Sequence, residues 1–260
     1  STISGGYCNV INAPSGYGGC FGAFATISAG YCNNICNSVH ATISNGYCNI
    51  LETNLQSTIG NGNCNQIFKA TERSSILNGF CNTISCYTSN SIIASGVRNT
   101  ISCYSSQVTI LNGASNSIST YSEGSLILSA SYNCISCFDN YSITAGYINK
   151  IGCCGCENVI VNGLCNSICN FGCHNFIGSG ECNCFYESNC YSVIVGGLRN
   201  SVESNNNGFN AIVGGCYNRM IDTTNFSFIG GGTCSCIYGG IYNFIGGGTT
   251  NSIYGGENNS

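Results

Sequence analysis

Large apolar residues recur along the chain in pairs eight residues apart, and the interval between pairs is nearly constant. With the first residue of each pair as position zero, Ile3, Ile27, Ile43, Ile59, Ile76, Ile93, Ile110, Ile127, Ile143, Ile160, Ile177, Ile194, Ile212, Ile229 and Ile245 open fifteen repeats. Eight positions on stand Ile11, Ile35, Leu51, Ile67, Ile84, Ile101, Ile118, Ile135, Ile151, Ile168, Phe185, Val202, Met220, Ile237 and Ile253. Between them, Gly holds plus three in every repeat but one (Ala130), and Asn holds plus six in every repeat but one (Ser235). Successive zero positions are 16 to 18 residues apart after a first step of 24. One supersecondary unit repeated at a fixed period is the mark of a solenoid, in which each coil buries its apolar pair only against its neighbours.

The pattern therefore predicts an all-β protein: a parallel β-solenoid (β-roll or β-helix) of about fifteen coils, forming a single domain over residues 1–260. In Ala41-Thr42-Ile43-Ser44, strand alternation turns Ile43 inward and Thr42 and Ser44 outward. Ile43, Leu51, Ile59, Ile67, Ile76 and Ile84 are thus the expected core ladder. Gly46 and Gly62 are expected to turn a corner through a positive φ that a β-carbon would penalise. Asn49 and Asn65, at the same corner, are expected to tolerate the left-handed region and to bond amide to amide between coils. The seven or so remaining residues of each repeat return the chain to the next coil and absorb the variation in length. On this pattern Gly113 should not accept Val, whereas Ser115, two residues on, should accept Thr. The one large insertion, residues 13–23 with the sole Pro (Pro14), reads as a protruding loop.

Only 6% of the residues are charged, so a soluble surface has to be wetted by Asn, Ser, Thr and backbone amides. The six basic residues are scattered and the net charge is −4, so no basic patch grips nucleic acid. No apolar run approaches the roughly 20 residues of a membrane-spanning helix, and the start has no signal-peptide pattern. Both ends cut the repeat abruptly, which predicts a fragment of a longer fibre.

The twenty-three cysteines follow the repeat rather than a pairing scheme. Cys8, Cys32, Cys48, Cys64 and Cys81 share the plus-five column; Cys86, Cys103, Cys137 and Cys153 share a second, and Cys156, Cys173 and Cys190 a third. Small, semi-buried, mostly free thiols stacked in ladders are expected, in a chain folded where thiols stay reduced. Cys134-x2-Cys137 and Cys153-x2-Cys156 have a zinc-ribbon spacing, but the period places these thiols on different faces, so no metal and no cofactor are expected. His40 and His174 both fall three residues before a zero-position Ile and read as surface corner residues. Glu181, Glu187 and Glu203 fall in two adjacent coils, a weak echo of the clustered carboxylates of polysaccharide-active β-helices, and no catalytic residues are assigned. The runs Gly230–Gly232 and Gly246–Gly248 are repeat corners, lacking the Lys and the helix of a phosphate loop. Thr2, Thr26, Thr42 and Thr58, flanked by Ser4, Ser28 and Ser44, form a short hydroxyl rank like that of ice-binding solenoids.

The phrase Asn-Phe-Ile-Gly-Gly-Gly-Thr-Thr-Asn-Ser-Ile at Asn243–Ile253 resembles the repeats of YadA-like trimeric autotransporter heads and of phage and large-virus tail fibres. The resemblance implies a non-catalytic structural or receptor-binding fibre, homotrimeric or filamentous, on a virion or an extracellular surface, with a host-surface glycan or protein as partner. A bacterial adhesin head is the alternative within that resemblance; an ice-binding solenoid and a polysaccharide-active β-helix enzyme are the alternatives outside it. The column before each zero Ile adds an independent expectation. It is Thr in the early repeats but Val159, Phe176, Val193, Ala211, Phe228 and Phe244 later, an outward apolar stripe expected to bind copies of itself.

Overall fold

The structure, a computed structural model, describes residues 1–12, 24–69, 71–119, 121–136, 142–152, 155–169, 171–204 and 208–255. The insertion at 13–23 and the thiols of Cys137 and Cys153 lie outside the described residues. All regular structure among the described residues is parallel β. Each repeat contributes two short strands, for example Thr42–Ile43 and Ile50–Glu52. The chain is a β-solenoid whose described residues form two compact units, Ser1–Ser131 and Tyr132–Ser260.

In the first unit, first strands from Thr2–Ile3 to Leu126–Ser131 form one parallel sheet in chain order, and second strands from Val10–Asn12 to Ser117–Ser119 form another. Register is by repeat position: Ile43 pairs with Ile59, and Leu51 with Ile67. The second unit repeats the arrangement, with second strands from Cys134–Ser136 to Ser252–Tyr254 and first strands from Ser142–Tyr147 to Phe244–Ile245. The core ladder Ile43, Leu51, Ile59, Ile67, Ile76 and Ile84 is fully buried. Burial needs a coil on each side: Ile3, covered from one side by Ile27, is 45% exposed, whereas Ile27 itself is 0% exposed.

The corner is as tight as a backbone permits. Gly46 and Gly62 have φ of 112° and 105°, and a β-carbon on Gly46 would stand 2.2 Å from the carbonyl oxygen of Gly62. The plus-six Asn side chains fill the same corner from inside. Asn33 Nδ2 donates to Gly46 O at 2.9 Å, while its Oδ1 accepts from the backbone N–H of Asn49 at 3.0 Å and from Asn49 Nδ2 at 3.1 Å. Asn49 repeats this toward Gly62 (3.0 Å) and Asn65 (3.0 Å), so an amide in a dry interior has its bonding capacity met by its own coil and the coils on either side.

Two expectations need correcting. The left-handed residue of this corner is plus five, where Cys8, Cys32, Cys48, Cys64, Cys81 and Ser115 have φ of 52–55°; Asn49 and Asn65 have ordinary φ. Asn is required for its amide rather than for its backbone, and Ser115 is itself a corner residue. The return segment, too, is laddered: Val39, Leu55, Glu72, Ser89, Ser106 and Glu123 are bridged in file, above buried Ser38, Asn54, Thr71, Thr88 and Ser105.

The core also holds a second, mostly polar column, two residues before the zero Ile. It is Ala25, Ala41, Ser57, Ser74, Ser91, Val108 and Ser125 in the first unit and Asn158, Asn175, Ser192, Asn210, Ser227 and Asn243 in the second, all buried. Asn158 Oδ1 accepts from the N–H of Asn175 at 2.9 Å, and Asn175 Oδ1 from that of Ser192 at 3.1 Å, as the plus-six amides do. Most coils are therefore two half-repeats of the form polar-x-apolar, most plainly Asn158-x-Ile160 and Asn166-x-Ile168, with Ala25, Ala41 and Val108 as the apolar exceptions.

Two substitutions test the corner. In Gly113→Val the new β-carbon would meet Ala130 O at 1.7 Å, at a φ of 113°. The expected loss is about 3 kcal/mol, or about 6–12 °C in Tm; the outward Ser119→Thr should shift Tm by about 1 °C or less. Conversely, Ser235 breaks the Asn column and its buried hydroxyl has no hydrogen-bond partner among the described residues. Ser235→Asn restores an amide facing Gly248 O and should raise Tm by about 2–4 °C, about 1 kcal/mol. Differential scanning calorimetry reads both, and equal shifts for Gly113→Val and Ser119→Thr would contradict the corner.

Candidate functional site: the outer sheet faces

Inward columns are occupied by the core, so chemistry is confined to outward columns, and in-register stacking turns each column into a file of side chains about 4.8 Å apart. In the second unit, the outer face of the first-strand sheet carries Val159, Phe176, Val193, Ala211, Phe228 and Phe244, paired in register from one coil to the next. These side chains are half-buried or exposed, Phe176 by 37% and Phe244 by 49%, while the Ile that follows each of them is buried. The stripe expected from sequence is outward.

The residue two positions further on completes this face: Val161, Gly178, Val195, Val213, Gly230 and Gly246. Wherever the first residue is Phe, the second is Gly, and the ring lies across it. Cε1 of Phe176, Phe228 and Phe244 stands 3.2, 3.2 and 3.3 Å from where a β-carbon on Gly178, Gly230 and Gly246 would be. Phe228 and Phe244 stack at 5.3 Å with planes 5° apart. The two Val–Val and three Phe–Gly rungs thus have similar bulk and, with the smaller Ala211–Val213 rung, form an apolar strip of six rungs, about 24 Å long. The glycines of Gly230–Gly232 and Gly246–Gly248 divide accordingly: the first of each run lies under a ring and the last turns the corner.

The outer face of the second-strand sheet of this unit is polar and sulfur-rich. Ser201 Oγ donates to Glu203 Oε1 at 3.1 Å, and Arg219 Nη2 reaches both Glu203 oxygens at 3.0 Å. Two coils away Ser167 Oγ and Cys169 Sγ are 2.9 Å apart. Cys184, in register with Ser167, is buried, and Lys150 flanks them on the other side. A hydrogen bond from Cys184 pulls the Cys169 thiol down to about 6 against the opposing effect of burial, with help from Ser167 and the charge of Lys150. The same bond, together with burial, pushes Cys184 up, and Tyr186 beside it is raised to about 12, mainly by Cys184.

The carboxylates singled out in the sequence do not converge. Glu181 bridges in file between Leu164 and Leu198, Glu187 sits at a corner with φ of 64°, and Glu203 is committed to Arg219. His40 (φ 53°) and His174 (φ 56°) are corner residues; His40 stacks on Phe24 at 5.0 Å, while His174 stacks on Tyr191 at 4.7 Å and meets Glu157 at 3.0 Å. The nineteen described cysteines are free thiols, and Cys134, beside buried Ile135, is only half-buried. Among the described residues no three or more His, Cys, Asp or Glu side chains converge on one point to share a metal ion. No described helix is long and apolar enough to cross a membrane. The Phe–Gly pairing, the second polar core column and the Cys169–Cys184 pair were missed in the sequence; only the first two leave a periodic signal there. No protein-family model and no curated protein matches the chain.

The Cys169 assignment predicts a reactivity profile. Iodoacetamide should alkylate Cys169 with a pH midpoint near 6, thiolate above and thiol below, while Cys64 and Cys165, raised mainly by desolvation, react only in more alkaline solution. Cys184→Ala removes the donor, and should move the Cys169 midpoint upward; peptide-resolved mass spectrometry measures it.

Proposed function

We propose that this chain is the shaft of a non-catalytic fibre that associates with copies of itself. The arrangement is a parallel homotrimer with Val159, Phe176, Val193, Phe228 and Phe244 toward a shared axis. What carries this reading is the outward strip in the second unit, six apolar rungs in strict register on a chain with almost no surface charge. An apolar strip of that length is costly to leave in water. A periodic face meets an identical periodic face rung by rung, and a non-periodic partner would match it poorly. The repeat phrase adds the context of YadA-like heads and of phage or large-virus tail fibres: display on a virion or extracellular surface, and attachment to a host glycan or protein.

Light scattering on a size-exclusion column tests the association. The wild-type chain should run at three times its monomer mass at micromolar concentration. Phe228→Asp with Phe244→Asp should release monomers, as each places a carboxylate in a dry contact. Thr26→Asp with Thr42→Asp, on the hydroxyl rank of the first unit, should leave the trimer intact. A monomeric wild type would rule the reading out.

A further inference from the structure

The plus-five column of the first unit sets five thiols, Cys8, Cys32, Cys48, Cys64 and Cys81, in one file. Their backbones are superposable, with φ between 52° and 55°, and each of the last four donates its N–H to the preceding coil at 2.9 Å. Superposed backbones carry their side chains in register, as the adjoining plus-four column shows: Tyr7, Tyr31 and Tyr47 stack at 5.2 and 5.1 Å. Cys8 is exposed and the other four are half-buried. Desolvation and the charges of Cys8 and Cys48 raise the Cys32 thiol, and desolvation with Cys81 and Cys48 raises Cys64. Neighbouring thiolates therefore repel one another, and a cation between them removes the repulsion.

The geometry points to this file as a binding site for soft monovalent d10 cations, Cu(I) or Ag(I), each held linearly between the sulfurs of successive coils. A metal–thiolate bond is about 2.3 Å, so a linear S–metal–S unit spans about 4.6 Å, close to the ~4.8 Å coil spacing. Soft thiolates select such ions. A single file offers two sulfurs per gap, which suits two-coordinate ions and cannot supply the tetrahedron that Zn(II) requires. Each isolated site forms two metal–sulfur bonds and releases two protons: one M⁺ and two thiols give an anionic dithiolate and two H⁺. A sulfur bridging two ions along the file would need a metal–sulfur–metal angle near 180°, which a thiolate does not adopt, so ions fill alternate gaps: the five sulfurs hold two ions, and four thiols give two anionic dithiolates and four H⁺. No electron is transferred.

The test uses the full chain, reduced and under argon, titrated with Cu(I) against a chelator that outcompetes a single thiol. Cys32→Ser with Cys64→Ser leaves Cys8, Cys48 and Cys81 roughly 10 Å apart. Ser is compatible with this column because Ser115 already occupies it, at φ of 54°. The control, Cys36→Ser with Cys216→Ser, removes two thiols whose in-register neighbours are Asn12 and Glu52, and Leu198 and Thr233. Native mass spectrometry should show the file variant retaining two fewer Cu(I) than the control, with X-ray absorption of the wild type giving two sulfurs per copper. A difference of one ion or none between the two variants, or three or more sulfurs per copper, overturns the assignment.

Discussion

The structure depends on one close approach: the corner glycine of each coil lies directly against the corner carbonyl of the next. Gly30, Gly46 and Gly62 would each place a β-carbon 2.2–2.3 Å from that oxygen. The approach is closed from inside by the Asn amide, which donates to the same carbonyl and accepts the N–H of the next Asn. A donor and an acceptor would otherwise be lost in a dry interior, which costs more than the bond itself contributes. The corner therefore holds register, and register holds both apolar columns.

Identical backbones in register make chemistry columnar. Any residue type repeated at one position meets itself about 4.8 Å away, which suits aromatic rings, thiols, hydroxyls and methyl groups. It does not suit charge, since two like charges at that distance repel by about 1 kcal/mol even in water. This is a physical reason for a chain in which only 6% of the residues are charged. Two contacts between adjacent coils of the second unit set a carboxylate against a nitrogen donor: Glu203 with Arg219, and Glu157 with His174. The apolar strip and the thiol file are two outcomes of the same rule, one suited to association and the other to a soft cation.

Much of this was legible without coordinates, because a solenoid writes its contacts into its period. The Ile columns, the corner glycines, the Asn ladder and the outward parity of Val159, Phe176 and Phe228 all follow from spacing and strand alternation, since lateral neighbours in space are residues one period apart. What spacing could not decide was which corner residue is left-handed. Asn and Cys both stand there, and the backbone hydrogen bonds to the preceding coil place the positive φ at Cys48, while Asn49 turns its amide inward. Spacing was also blind to the return segment, whose varying length hides its own ladder. Diagonal contacts such as Cys169 with Cys184, and the ring of Phe228 over Gly230, join different columns in space. Such contacts depend on side-chain direction across the sheet, which only the tertiary structure determines.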